Sequence, residues 1–188
     1  MNRTRPSSDP HDSAGPAFAA KARAELAASD ALVPGSDLVG WSGALLARVA
    51  LVKGQPGPAE VAGGAALSGP DGEAAEKALL ALGWPADSWF ATVSRPEPDA
   101  DAGSIAARLR LQLEAVDPFV VVALDEIAAT DVAAAFGLPQ RVAPGRPTVV
   151  SGRRFVTVQG LEDSLQDPAR KRTAWRQLQD AAPPGPVF

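Results

Sequence analysis

The sequence contains no cysteine and one histidine among its 188 residues. Without cysteine, the chain cannot form disulfides, thiolate metal sites or iron–sulfur clusters, and it has no cysteine nucleophile. The one histidine, His11, lies in an N-terminal stretch rich in Pro, Ser and Asp. We therefore expect neither a histidine general base nor a histidine-rich metal site, and the sequence predicts no metal and no cofactor.

Long apolar runs are also missing. None approaches the roughly 20 residues that a membrane-spanning helix requires, and the N-terminus is polar. We expect a soluble, cytoplasmic protein without a membrane partner. The hydrophobic content of 46% in 188 residues is sufficient for one domain with a core. We predict a disordered leader over residues 1–16, a single domain over residues 17–181 and a tail over residues 182–188.

Positive charge is scarce in the first three quarters of the chain. Residues 1–140 hold 10 basic and 18 acidic side chains, a net of −8, whereas residues 141–188 hold 8 basic and 4 acidic ones, a net of +4. An anion-facing surface should therefore involve the C-terminal quarter. The alternative is an ordinary solvated helix face with pairs of opposite charge at i,i+4 spacing.

Strands and helices alternate along the sequence. Short apolar runs predict four main strands, at 49–52, 87–93, 119–124 and 154–158, and a short additional strand at 148–150. Apolar residues at helical spacing predict helices between these strands. The alternation predicts a three-layer α/β/α fold with a four-stranded, mainly parallel sheet. Three tryptophans, Trp84, Trp89 and Trp175, are predicted to be core residues, and stacking of one of them on a base is the alternative.

A loop rich in Gly and Pro follows the first main strand, between Gly54 and Glu60. These residue types end both strand and helix. Open α/β sheets bind their ligands at the carboxyl ends of the strands. The loop is therefore a candidate wall of a binding site, and an ordinary tight connection is the alternative.

Four segments of the sequence carry a resemblance when they are taken together. They are Gly54-Gln-Pro-Gly57 followed by Glu60, then 67–72, then 89–96, and finally 154–159 with 164–178. In this order they resemble the uracil-DNA glycosylase superfamily, most closely its bacterial iron–sulfur branches. The corresponding family segments are a water-activating loop, a base-stacking segment, a strand ending in Thr-Asn, and a His-Pro motif followed by a DNA-contacting helix. The resemblance covers about residues 46–181 and implies a uracil-DNA glycosylase-like fold.

The resemblance also implies roles for particular residues. It gives catalytic roles to Glu60 and Gln159, where Gln159 or Gly160 falls at the position of the family's histidine. The implied lining of the substrate pocket is Gln55, Pro56, Gly57, Leu67, Val93, Ser94 and Gly160. The implied contacts to the DNA backbone are Arg153, Arg154, Arg170, Lys171, Arg172 and Arg176.

The sequence departs from the family at the residues that carry the chemistry. Gly54 stands where the loop should have its first acid, Leu67 replaces the stacking Phe, and Val93 lies near the position of the Asn that reads the base. Removing one electrostatic donor commonly costs about 10²–10³-fold in rate. The combined losses therefore predict that most of the catalysis is gone.

Three functional hypotheses follow. The leading one is a degenerate, non-excising glycosylase-like protein that acts as a DNA-binding or accessory module, with single- or double-stranded DNA as its candidate partner. The second is a divergent but active glycosylase that uses Glu60 and Gln159 on uracil or another damaged base. The third is a protein-interaction module with a vestigial pocket.

Overall fold

The chain forms an open, six-stranded mixed sheet with helices on both faces. The structure is a computed structural model that describes residues 10–35, 38–97 and 100–183. The helices are α1 (Pro10–Asp30), α2 (Pro58–Val61), α3 (Pro70–Ala81), α4 (Ala102–Val116), α5 (Glu126–Phe136), α6 (Leu161–Ser164) and α7 (Pro168–Leu178), followed by a 3-10 turn at Gln179–Ala181. The strands are β1 (Ser42–Gly43), β2 (Val49–Lys53), β3 (Trp89–Val93), β4 (Val120–Ala123), β5 (Thr148–Val150) and β6 (Arg153–Thr157).

The predicted α/β class is confirmed, but the predicted number of strands is wrong. The strand order is β1-β3-β2-β4-β6-β5, in which the four central strands are parallel and the two edge strands are antiparallel. The central four are the predicted main strands, and β5 is the predicted short additional strand. The sequence did not reveal β1 because two residues, Ser42 and Gly43, are too few to show a pattern.

Strand residues alternate between two cores, which explains why the apolar runs are continuous. Ala50 and Val52 pack into the core shared with α1, α4 and α5. Val49 and Leu51 pack into the core shared with α3, α6 and α7. A strand covered on both faces has no solvent-facing positions, so it needs no polar alternation. The four parallel strands consequently place all of their carboxyl ends at one edge of the sheet.

Helix α1 extends further towards the N-terminus than expected. It begins at Pro10, so residues 10–16 of the predicted disordered leader are helical, while residues 1–9 lie outside the described part of the chain. Proline fits the first position of a helix because its missing N–H would be unpaired there anyway. Among the described residues no helix, including this one of 21 residues, is long and apolar enough to cross a membrane.

The three tryptophans that were predicted to be buried differ in exposure. Trp84 is 3% exposed, and its indole N–H donates to the carbonyl of Ala181 at 2.8 Å. Trp89 is only half-buried. The prediction is wrong for Trp175, which is 37% exposed because it lies on the outer face of α7.

Candidate functional site at the carboxyl edge of the sheet

Three cavities lie beside one another at the carboxyl edge of the sheet. The loop cavity, about 1040 Å³, is lined by residues 38–40, 55–56, 60–65 and 96. The α7 cavity, about 580 Å³, is lined by residues 125–127, 159–160, 163, 169–170 and 173. The central cavity, about 390 Å³, shares lining residues with both and is lined by residues 53, 55–56, 71, 124–125, 127 and 160–163. This is the edge at which the sequence predicted a site.

Lys53 forms the base of the central cavity and is surrounded by carboxylates. It is the last residue of β2 and is 5% exposed. Its Nζ lies 2.7 Å from Asp71 Oδ2, 3.1 Å from Glu162 Oε2 and 3.5 Å from Glu60 Oε1. We call these four residues the Lys53 cluster.

The Lys53 cluster keeps its lysine protonated. Burial by itself lowers the pKa of Lys53, but the hydrogen bonds and charges of Asp71, Glu162 and Glu60 outweigh burial and raise the pKa above 10.5. At neutral pH Lys53 is therefore an ammonium ion and not the free amine that nucleophilic catalysis requires.

Glu60 is held by the backbone as well as by Lys53. Its Oε2 accepts from the N–H of Gly57 at 2.9 Å, and its Oε1 accepts from the N–H of Leu67 at 3.0 Å. Leu67 presents that N–H from a left-handed conformation, with φ of 58°. With 2% of its surface exposed, Glu60 joins the Gly-Pro loop to the start of the 67–72 segment. Its catalytic role stays a prediction.

Asp125, which follows β4, holds the start of the Gly-Pro loop by a hydrogen bond. Its Oδ2 accepts from the N–H of Gly54 at 2.7 Å, and its Oδ1 accepts from the N–H of Ala128 at 2.8 Å, so it also caps α5. The position where the family resemblance predicts an acid is therefore occupied by a glycine in close contact with Asp125, the residue that precedes α5. A Cβ at Gly54 would lie 2.5 Å from Asp125 Oδ1 and 2.6 Å from Ile127 Cβ.

Because a side chain at Gly54 would collide with Asp125 and Ile127, substitution of Gly54 tests the contact between the loop and α5. Replacing Gly54 with alanine is expected to lower the free energy of unfolding by about 1–3 kcal/mol, because the new methyl group overpacks the contact with α5. Chemical denaturation measures the loss. Gly40 is the matched control, since a Cβ there has nothing within 4 Å. Equal stability of the two alanine variants would contradict the described contact.

The predicted pocket residues are divided between cavity wall and core. Gln55 and Pro56 line both the loop cavity and the central cavity, and Gly160 lines the central and α7 cavities. Gly57 is buried behind them, where a Cβ would lie 2.7 Å from Lys53 Nζ. The remaining three predicted pocket residues, Leu67, Val93 and Ser94, are buried and line none of the three cavities.

Ser94 points away from the cavities. It is fully buried, and its Oγ lies 2.7 Å from Asp131 Oδ2. Asp131 also accepts from Arg95, with Nε and Nη2 each at 2.9 Å, and this interaction raises the pKa of Arg95. Ser94 thus belongs to a polar contact between the segment after β3 and α5, and its Oγ also donates to the carbonyl of Gly54 at 3.1 Å.

Gln159 lies where a ligand could reach it. It is exposed, lines the α7 cavity, and its backbone N–H donates to Gln177 Oε1 at 2.8 Å. The same cavity is lined by Asp125, Asp163 and Arg170. The structure thus places Gln159 beside carboxylates of two different segments, whereas Glu60 lines the loop cavity.

The six basic residues that were predicted to contact DNA do not form one surface. Arg153 and Arg154 begin β6, at the edge of the sheet opposite to the cavities. Arg153 makes its contacts within the protein there: its Nη2 lies 2.6 Å from Asp117 Oδ1, and its guanidinium lies 5.2 Å from the centre of the Phe136 ring. The other four, Arg170, Lys171, Arg172 and Arg176, are exposed on α7.

Sequence reasoning missed the residues that carry most of the charge at this edge: Lys53, Asp71, Asp125, Glu162 and Asp163. Two signals were available. Lys53 directly continues the apolar run of β2, and Asp71 lies within one of the four segments that carry the resemblance. Neither signal could reveal the pairing, because the two residues meet only in the folded chain.

The residues present do not fit an iron–sulfur cluster, because the sequence has no cysteine to ligate one. In the described part of the chain, no group of three or more acidic or histidine side chains is arranged to hold a metal ion. In the Lys53 cluster an ammonium group occupies the centre between the carboxylates. Comparison with protein-family models and with curated proteins gives no match.

Proposed function

We propose that this chain is a uracil-DNA glycosylase-like protein that has lost uracil excision and acts as a DNA-binding or accessory module. The proposal combines the four-segment resemblance with the arrangement of charges at the carboxyl edge of the sheet. The observation that carries it is the state of Glu60. This residue, the one acid left in the loop that resembles a water-activating loop, is buried and has both carboxylate oxygens occupied by backbone N–H groups.

A carboxylate in this state is poorly suited to activate water. A general base must lie within hydrogen-bond reach of the proton that it removes. Glu60 uses its oxygens to hold Gly57 and Leu67, and it faces the Lys53 ammonium at 3.5 Å. These contacts support a structural role for Glu60.

The charge of the central cavity also opposes excision. Cleavage of deoxyuridine needs stabilisation of the departing uracil anion. The cavity is lined by four acids, Asp71, Asp125, Glu162 and Asp163, against one cation, Lys53. An anion would be repelled by this lining, and Lys53 already interacts with Asp71 and Glu162.

One observation favours the rival function, a divergent active glycosylase. Gln159 is exposed in the α7 cavity, where Asp125 and Asp163 also lie. An amide donor beside the Asp163 carboxylate could act on a base other than uracil, particularly one that leaves without negative charge. In this rival the resemblance assigns the chemistry to Glu60 and Gln159, and the α7 cavity adds Asp163 beside Gln159.

Incubating the protein in excess with uracil-containing single- and double-stranded oligonucleotides is expected to release no uracil. Release is measured by strand cleavage at the resulting abasic sites in hot alkali. Uracil release that is lost in Gln159→Ala or Asp163→Asn, while both variants keep the wild-type unfolding midpoint, would contradict the proposal. The same assay on a panel of alkylated and deaminated bases separates the proposal from the rival.

A further inference from the structure

The outer face of α7 combines three cationic side chains with an exposed indole. Lys171, Arg172, Trp175 and Arg176 are all exposed, whereas Ala174, Gln177 and Leu178 on the inner side are buried. Helical spacing places Lys171 and Trp175 one turn apart, and likewise Arg172 and Arg176. Arg172, Trp175 and Arg176 together line a shallow depression. We call these four exposed residues the α7 outer face.

The cations of this face lack the acidic partners that other helices provide. Lys21 pairs with Glu25, Lys77 with Glu73, and Arg110 with Glu114, each at i,i+4 spacing. No carboxylate of the described residues lies within 4.0 Å of the charged nitrogens of Lys171, Arg172 or Arg176. Arg172 and Arg176 instead stand at the spacing where like charges destabilise a helix. Arg176 does lie in the last turn of the helix, where a cation is favourable, but the three charges have no close carboxylate partner and can face an external anion.

The exposed indole indicates what kind of anion would fit. Phosphate binding alone needs only the cations, but Trp175 adds an aromatic surface of which 37% is exposed. An aromatic side chain beside basic residues is the arrangement with which proteins stack unpaired bases while holding the backbone. From Lys171 to Arg176 the face extends about 8 Å along the helix axis, roughly the rise of two nucleotides.

We propose that the α7 outer face binds single-stranded nucleic acid, with an unpaired base stacked on Trp175 and phosphates on Lys171, Arg172 and Arg176. This inference rests on the proposed DNA-binding role and specifies the strand state and the contact residue. Base pairs within a duplex are already stacked on one another, so an intact duplex offers Trp175 no free base face. The net charge of −8 on residues 1–140 also disfavours the wider contact that duplex binding requires.

Fluorescence anisotropy with three labelled probes of equal length tests the inference. The probes are a single-stranded oligothymidine, the same strand with abasic sites throughout its central part, and a duplex. Wild-type protein is expected to bind the oligothymidine most tightly. Trp175→Ala should weaken that binding by about 5- to 100-fold, and should leave binding to the abasic strand unchanged. Trp175→Phe should retain most of the affinity because it keeps an aromatic face.

The salt dependence of binding distinguishes the contribution of the cations from that of the indole. The triple variant Lys171→Gln, Arg172→Gln, Arg176→Gln is expected to bind both single-stranded probes more weakly. The slope of log affinity against log salt concentration should fall in magnitude by about 2, at roughly 0.7 for each phosphate contact. Trp175→Ala should leave the slope unchanged. Leu80→Ala, at an apolar position of α3 that is 49% exposed, is the control for loss of an exposed apolar group. Thermal unfolding confirms that each variant is folded.

Three outcomes would overturn the inference. If Trp175→Ala binds the oligothymidine like the wild type while the triple variant does not, the face contacts phosphate alone. If the duplex binds as tightly as the single strand, the strand preference is wrong. If no probe binds at all, the proposed DNA-binding role fails together with this inference.

Discussion

Replacing Lys53 with methionine is expected to lower the free energy of unfolding by about 3–5 kcal/mol. Methionine keeps the apolar length of the side chain but removes the charge that Asp71 contacts at 2.7 Å and Glu60 at 3.5 Å. These two acids are almost completely buried, so they would be left without their counter-ion. Denaturant unfolding at pH 7 measures the loss.

The matched control is Lys77→Met. Lys77 also pairs with a glutamate, Glu73 at 3.4 Å, but its side chain is 77% exposed, so the expected change is within about 1 kcal/mol.

The pKa of Lys53 also determines how the stability loss in Lys53→Met depends on pH. Because the pKa of Lys53 is raised above 10.5, its contribution is fully present below the pKa of an unfolded lysine, about 10.4. The stability difference between wild type and Lys53→Met should therefore shrink only above that pH, as the pH rises from the unfolded pKa through the higher pKa of the folded protein. Equal losses for the two lysines at pH 7 would contradict the described Lys53 cluster.

Replacing Asp30 with alanine is expected to lower the free energy of unfolding by about 3 kcal/mol. Asp30 ends α1, and its Oδ1 accepts from Arg108 Nε on α4 at 3.0 Å. Arg108 is fully buried, and burial lowers its pKa even though Asp30 opposes the shift. The variant leaves a buried guanidinium without its counter-ion. Because the side chain of Asp30 is 36% exposed, water can partly replace it, which places the loss at the lower end of the range for buried pairs.

A double variant distinguishes an ion pair from simple packing. Arg108→Met combined with Asp30→Ala removes both charges, and buried pairs that are replaced together often cost little. The double variant is therefore expected to be more stable than Asp30→Ala alone, although the carbonyl of Val93 loses its donor, Arg108 Nη1 at 2.9 Å. Losses that simply add in the double variant would show that the two side chains are not coupled.

The parallel centre of the sheet could be predicted because its residues carry the signal locally. Val49 to Val52 and Val120 to Ala123 are apolar throughout, since both faces of each strand are covered. Helix ends with a local cause were also predictable. Asp167 and Pro168, which open α7, provide a side-chain cap and a first residue that needs no donor. The two edge strands add little burial and were harder to detect, so β1 was missed.

The candidate site was only partly predictable, for a physical reason. Its position follows from topology, because the loops after β2, β4 and β6 must meet at one edge. Its chemistry depends on pairs distant in sequence, such as Asp125 with the N–H of Gly54 and Glu162 with Lys53. From the sequence alone, a lysine at the end of a strand or a glutamate in a short helix is predicted to be solvated. The outward position of Trp175 likewise depends on which face of α7 packs against the sheet.

The most direct test of the central claim is one titration that follows binding and chemistry together. A labelled single-stranded oligonucleotide with one central uracil is mixed with excess protein, and anisotropy and uracil release are recorded from the same sample over several hours. The expected result is a salt-dependent rise in anisotropy with no release of uracil. Uracil release that is lost in Gln159→Ala would show a working glycosylase, and unchanged anisotropy at every protein concentration would show that the chain is not a DNA-binding module.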